Sequence, residues 1–565
     1  MKNAWIFAVC TLLAAPGVHA EVTAAHGMVV STTGTGAAAA GVETLRNGGN
    51  AMDAAMTAVL LQPCLAAGSY VSYAGIINVV YFDAASGKVF NLNGGFNTVL
   101  GETEPLTIPG INTTTLMASK LESFDSAPSG RTALVPGFFA GVEAAQRRFG
   151  KRRFADVIAP AIRCAEQGFV LSPELAGIMK MREAVLRRLP ETRAIFTKGG
   201  ALYAAGETFR QPALAATLRA IATKGVTPYL YRGDWANALV EAVRRDGGKM
   251  TRADLEAYQP TWIEPVHTRF NGFDVYAHGL PSMGGVNLVQ SLNLATAAHL
   301  LTQPPYRESP LTFFRQLQFA KVGNLLSAPG VAPQFEKALG LDLTPQARLQ
   351  PETAAKLWKL LEAGHMPSIP APRTTRTAHS DAVVAVDAAG NMAAVVHTIN
   401  TVNWGSTGIF VGGISIPDSA AFQQPAIAAI APGSRLPDLT NPGVALKDGK
   451  PVLTFSCIGA GVDVRTLGAL VDVLGHGMAP GEAIASPAHG GFDYSRVASG
   501  EIGAMVGVGE FSTEYLAQLR ELGQPVREDN TQRGYWIGIG VGTNEKRLRA
   551  GELREMQMGG GAMGY

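Results

Sequence analysis

Three runs constrain the fold more than any other feature: Ala382 to Val386, Ala393 to Ile399 and Val452 to Phe455 are strand-like, rich in Val, Ile and Thr, and apolar on both faces. A strand wet on one side alternates apolar with polar, so unbroken apolarity demands cover above and below the sheet. Other segments supply partners and cover. Ile76 to Phe82 and Val89 to Leu92 read as two further strands joined by a turn-rich loop from Asp83 to Lys88. From Phe138 to Gly248 apolar residues recur at helical spacing, as in Phe154, Val157, Ile158, Ala161 and Ile162. Glu352 to Ala363 is helical again, and Pro367 to Thr377, with three prolines, is an extended polar segment.

Several function classes fall away on composition. The 565 residues carry 47 basic against 45 acidic side chains, with no basic run interleaved with aromatics, so nucleic acid is not an expected partner. Gly34-Thr35-Gly36-Ala37-Ala38-Ala39 satisfies a loose dinucleotide fingerprint after the short strand Gly27 to Ser31. A dinucleotide fold needs a second strand next, yet Asn47-Gly48-Gly49 ends one helix and Asn50 with Asp53 caps another. Lys2, the apolar run Ala4 to Ala15 and Val18-His19-Ala20 predict a signal peptide over residues 1–20, hence a periplasmic or secreted protein free of the membrane once it is removed. Three cysteines then remain, Cys64, Cys164 and Cys457, without C-x-x-C spacing or a His pair, so neither a metal nor a disulfide framework is expected. Cys164, inside a helical pattern, reads as core packing.

After the Pro-rich segment comes Thr377-Ala378-His379-Ser380-Asp381, entering the strand that ends at Asp387-Ala388-Ala389-Gly390-Asn391. A hydroxyl at the mouth of a strand is commonly structural. Its surroundings change that reading. With His397-Thr398-Ile399-Asn400, Trp404-Gly405 and Gly408-Ile409-Phe410, the segment resembles the start of the small subunit of γ-glutamyltransferases. Upstream, Arg46 to Ala55 resembles the family's G-G-N-A-x-D-A-A motif; Gln211 to Ala215, Gly247-Gly248 with Thr251, Asp254 and Leu255, and Pro281 to Gly285 follow in order. Gly509 to Ser512, Leu522 to Val526 and the final Gly564-Tyr565 complete a resemblance running from about residue 26 to 565.

The resemblance implies an α+β fold, the four-layer αββα sandwich of N-terminal-nucleophile hydrolases, and a chain that cuts itself. It divides this sequence into a large segment, 21–379, and a small segment, 380–565, which fold together and stay associated as a heterodimer. The freed α-amine, with an ordinary pKa of about 7.7–8.0, acts as base for its own hydroxyl. The family's nucleophile lies eleven residues before the position of Asn391, which without a gap is Ser380. Thr377 is the alternative, since Thr377-Ala378-His379 matches a family T-x-H motif, but it needs three extra strand residues, and an odd slip reverses every side chain. Thr398 takes the place of a Thr that assists cleavage, Asn400 of an Asn that contacts substrate, and Gly459 and Ala460 of the consecutive oxyanion-hole N–H donors.

Substrate recognition departs from the family pattern. Where the family holds a glutamyl α-carboxylate with an Arg and a Ser-Ser pair, this chain has Asn93 and Asp438-Leu439. Asn cannot make the paired charge-assisted bonds of Arg, and Asp repels a carboxylate. Ser72-Tyr73-Ala74-Gly75 replaces a Gly-rich stretch, and Asp418 stands for an acidic residue that binds the α-amine. The expectation is an amide hydrolase or acyltransferase for a γ-glutamyl or related acyl group on a small amide or peptide, without cofactor. A non-catalytic relative that keeps the fold is the second reading. A conventional serine hydrolase is disfavoured because no G-x-S-x-G elbow is present.

Overall fold

The computed structural model describes residues 21–110, 126–364, 380–487, 489–493, 501–530, 534–542, 547–551 and 559–565. The expected signal segment, Thr377 and His379 lie outside these residues. Two seven-stranded sheets form the centre. In chain order their strands are β1 (Glu21–Ala24), β2 (Met28–Ser31), β3 (Ile76–Asp83), β4 (Lys88–Gly94), β5 (Thr261–Ile263), β6 (Val266–Phe270), β7 (Phe273–Ala277), β8 (Ser380–Val386), β9 (Met392–Thr398), β10 (Gly443–Lys447), β11 (Lys450–Gly459), β12 (Gly534–Val541), β13 (Leu548–Gly551) and β14 (Gly561–Gly564). The first sheet runs β1-β13-β12-β11-β10-β7-β6, the second β14-β2-β8-β9-β3-β4-β5.

The doubly apolar strands sit where their pattern requires. On β8 and β9, Val383, Ala385, Ala393 and Val395 pack toward helices α1 (Thr35–Arg46), α2 (Ala51–Leu65), α3 (Phe138–Phe149) and α4 (Phe154–Gln167). Their alternate residues Ala382, Val384 and Val396 join Val444, Ile537 and Ile539 of the first sheet. The first sheet is covered in turn by α5 (Gly284–Ala297), α6 (Pro310–Leu326) and α7 (Val462–Leu470), which give four layers in the order expected.

Local signals hold in detail. Asn50 caps α2, its side chain accepting from the Asp53 N–H at 3.0 Å while Asp53 accepts from the Asn50 N–H at 2.9 Å. Cysteine usage is corrected: Cys64 at the end of α2 and Cys164 in α4 are disulfide-bonded, with Cα atoms 6.5 Å apart, and the odd thiol is the buried Cys457. Counting three cysteines could not reveal this. A link between residues separated by 100 positions depends on how α2 packs on α4, which spacing alone does not show. Cys164 is therefore a covalent staple, of a kind that persists in oxidising compartments.

Candidate active site

Ser380 opens β8 and lies opposite Thr398, the last residue of β9. Side chains alternate along a strand, and Ala382 and Val384 face the other sheet, so Ser380 and Thr398 also face the gap between sheets. Two bonds cross that gap and set its register. Thr454 and Ser456 on β11 donate to the carbonyls of Ala393 and Val395, at 3.2 and 3.3 Å, each pair 61 positions apart. Continued at that spacing, the register brings Gly459 level with Thr398. The candidate nucleophile, its hydroxyl neighbour and the candidate oxyanion turn thus gather at one end of the sandwich.

Beyond Gly459 the backbone is shaped by glycine. Gly459 and Gly461 hold φ of +90° and +79°, and a Cβ on Gly461 would run into the Gly490 backbone. Gly461 is also the N-cap of α7, so the Gly459–Ala460 turn leads into a helix start whose free N–H groups and dipole favour developing negative charge. Just after β9, Asn400 sits in the left-handed region, φ +51°, and its N–H donates to Thr398 Oγ1 at 3.0 Å. That bond fixes the Thr398 hydroxyl and turns the chain out of β9.

Asn93 and Asp438, far apart in sequence, share one buried network. Asn93 pairs with Asn78 across β4 and β3, and Asn78 pairs with Val396, on the same face as Thr398. Asn93 Nδ2 approaches Ser282 Oγ at 3.4 Å, and Ser282 Oγ donates to Asp438 at 2.9 Å. Asn78 Nδ2 donates to Asp438 at 2.9 Å, and Thr440 gives it both its N–H and its hydroxyl, at 2.8 and 2.7 Å. Beside them His278, held by Asn91 at 2.7 Å, is pushed down to about 4 by burial despite the nearby Asp438 carboxylate, and stays neutral at neutral pH. The neighbouring cation, Arg435, is engaged by the carbonyls of Gly95 and Gln259 and by Tyr258.

Asp418 is fully buried and organises the loop after β9. Its carboxylate accepts from Thr401 Oγ1 at 2.5 Å, the Ser406 N–H at 2.9 Å and Ser126 Oγ at 3.0 Å. Asn78, Ser282, Thr440 and Asp381 carry the polar chemistry that sequence reading did not single out. Only Asp381 had a local signal, an acid inside an otherwise apolar strand mouth.

Residues 37–561 match the family model described as gamma-glutamyltranspeptidase. A glutathione hydrolase proenzyme of Pseudomonas sp. (strain A14) is 28% identical over 506 residues, 83% of this chain and 82% of that one. An acylase ACY 1 proenzyme of Pseudomonas sp. (strain V22) is 27% identical over 502 residues, 82% of each chain. The fold is that of the cephalosporin acylase from Bacillus halodurans, with a TM-score of 0.73 over 100% of this chain and 99% of that one at 20% identity. With a family match running from the first helix to the last strand, and two stacked sheets between helical layers as in that fold, the chain belongs to the γ-glutamyltranspeptidase family of N-terminal-nucleophile hydrolases.

Proposed function

We propose that this chain is an exported acyl-amide hydrolase or acyltransferase that cuts itself between His379 and Ser380 and then works from the new N-terminus. The observation that supports the reading is Ser380 paired opposite Thr398, with a β11–β9 register that, continued, carries the Gly459–Ala460 turn to the same end of the sandwich. In the first step Ser380 Oγ attacks the carbonyl of His379, and hydrolysis of the resulting ester leaves residues 21–379 and 380–565 as two associated chains. Thr398 assists, its hydroxyl held by the Asn400 N–H. In turnover the free α-amine takes the Ser380 proton, the hydroxyl attacks the substrate amide, and the Gly459 and Ala460 N–H groups hold the oxyanion. Donors of this kind contribute roughly 3–4 kcal/mol each. The adduct collapses as the C–N bond breaks and the substrate's amine leaves with the proton the α-amine took, and water or an amine then attacks the Ser380 ester, releasing the acyl group and restoring the hydroxyl. The proenzyme names of the relatives support a cut chain.

The acyl group differs from γ-glutamate. At the clamp positions stand Asn93 and an Asp438 whose two oxygens are already filled by donors, and Arg435 is turned to backbone carbonyls. Nothing there offers a substrate carboxylate a paired guanidinium, and Asp438 opposes its charge. Asn400 contacts the substrate amide, and Asp418 shapes the adjoining loop. A panel of p-nitroanilides with γ-glutamyl, aromatic and aliphatic acyl groups tests the assignment. The expected outcome is turnover of acyl groups lacking an α-carboxylate, with γ-glutamyl anilide at least tenfold poorer, which corresponds to about 1.4 kcal/mol. Saturable γ-glutamyl turnover of equal or greater efficiency would overturn it and make Arg435 the clamp.

A further inference from the structure

Directly behind the nucleophile lies a buried acid that the reaction above does not use. Asp381 follows Ser380 on β8, and alternation turns its side chain to the opposite face, toward the helices. It is fully buried. One carboxylate oxygen, Oδ1, accepts from Thr32 Oγ1 at 2.9 Å and from Thr33 Oγ1 at 2.5 Å. Thr32 also binds the next residue, its N–H donating to the Ala382 carbonyl at 3.0 Å while its hydroxyl accepts from the Ala382 N–H at 2.8 Å. The segment after β2 thus grips the first residues of the nucleophile strand. Oδ2 has no hydrogen-bond partner among the described residues.

We propose that Asp381 is a positioning residue for the nucleophile: through Thr32 and Thr33 it anchors the mouth of β8, and its charge state sets that of the α-amine that Ser380 carries once the chain is cut. The inference rests on Ser380 being that N-terminus. Neighbouring Cα atoms are about 3.8 Å apart, so the carboxylate and the amine remain close enough to interact in either rotamer. A carboxylate charge holds the ammonium form and withholds the base; a neutral carboxyl releases it.

The titratable groups facing Asp381 are Tyr70, after α2, and His397, its cross-strand partner on β9. Both are neutral at neutral pH, because burial raises the Tyr70 phenol and lowers the His397 imidazole to about 3. Burial also pushes the Asp381 carboxyl up to about 7, against the two threonine hydroxyls that favour its charge. The acid and the amine therefore titrate in adjoining ranges, each biasing the other.

The test uses the cut enzyme and no substrate. The rate at which acetic anhydride acetylates the small chain's N-terminus is followed against pH by mass spectrometry of its first peptide. In Asp381→Asn the amine midpoint is expected to fall by about half a unit to one unit. Thr33→Val, which removes one donor and so weakens the carboxylate charge, should move it the same way by less, and Thr33→Ser should restore it. Unchanged midpoints in Asp381→Asn and Thr33→Val overturn the inference. If Asp381→Asn stays uncut, Thr33→Val decides. A first peptide in the parent that does not begin at Ser380 is a different failure, that of the nucleophile assignment.

Discussion

Two parts of the candidate site are built on different principles. The candidate nucleophile's surroundings are made by register: Ser380 opposite Thr398, and Gly459 carried to their level by the register of β11 on β9. The proposed recognition wall, formed by Asn78, Asn93, Ser282, Asp438 and Thr440, is made by side chains that satisfy one another. The contrast teaches that a backbone-built site persists as long as the sheets stack. A side-chain-built one changes with each substitution, so chemistry can be kept while specificity drifts.

The largest effect that would sharpen this contrast belongs to Ser380→Ala. It should abolish cutting and turnover together, by at least about a thousandfold, because one hydroxyl serves both steps. A denaturing gel and the anilide assay read the two losses, and a variant still cut at the same bond would break the assignment.

Asp438→Ala should do the reverse. It leaves Asn78 only its bond to the Thr440 hydroxyl and strands the Ser282 and Thr440 hydroxyl protons and the Thr440 N–H, each buried group costing about 1–3 kcal/mol when left unpaired. We expect a lower unfolding midpoint and a changed acyl preference, with the chain still cut at the same bond. Loss of cutting would show that the wall and the nucleophile are not separable.

The smallest effect concerns pH. Burial holds His397 at about 3, below its ordinary 6.5, so its contribution to stability is full above 6.5 and is lost as pH falls toward 3. Asp381, raised to about 7 from 3.8, contributes fully below 3.8 and loses that contribution as pH rises to 7. The two slopes oppose one another between about 4 and 6.5. His397→Gln removes one of them, so acidification from pH 6.5 to 4.5 should cost the variant less stability than the parent, by up to about 1.4 kcal/mol per pH unit. Equal losses, measured by denaturant unfolding, would place a charged group near His397 that relieves its burial.

Legibility in the sequence follows the same division. The doubly apolar strands, the Asn50–Asp53 capping box and the hairpin of β3 and β4 are set by neighbours in the chain, and all were readable from their pattern. Asn93 and Asp438 were readable as altered positions, but their union through Ser282 and Asn78 was not, because it joins residues from three distant segments. The Cys64–Cys164 link escaped for the same reason. Asp381 was visible as an acid in the strand mouth, but its bonds to Thr32 and Thr33, brought to it by the segment after β2, were not.

The central claim is that Ser380 becomes the N-terminus of a second chain. Edman sequencing of the smaller band from purified, untreated protein tests it most directly, and the account requires Ser-Asp-Ala-Val. A start at Thr-Ala-His-Ser would move the nucleophile to Thr377, and a single uncut chain that still turns over the anilides would contradict the N-terminal-nucleophile mechanism altogether.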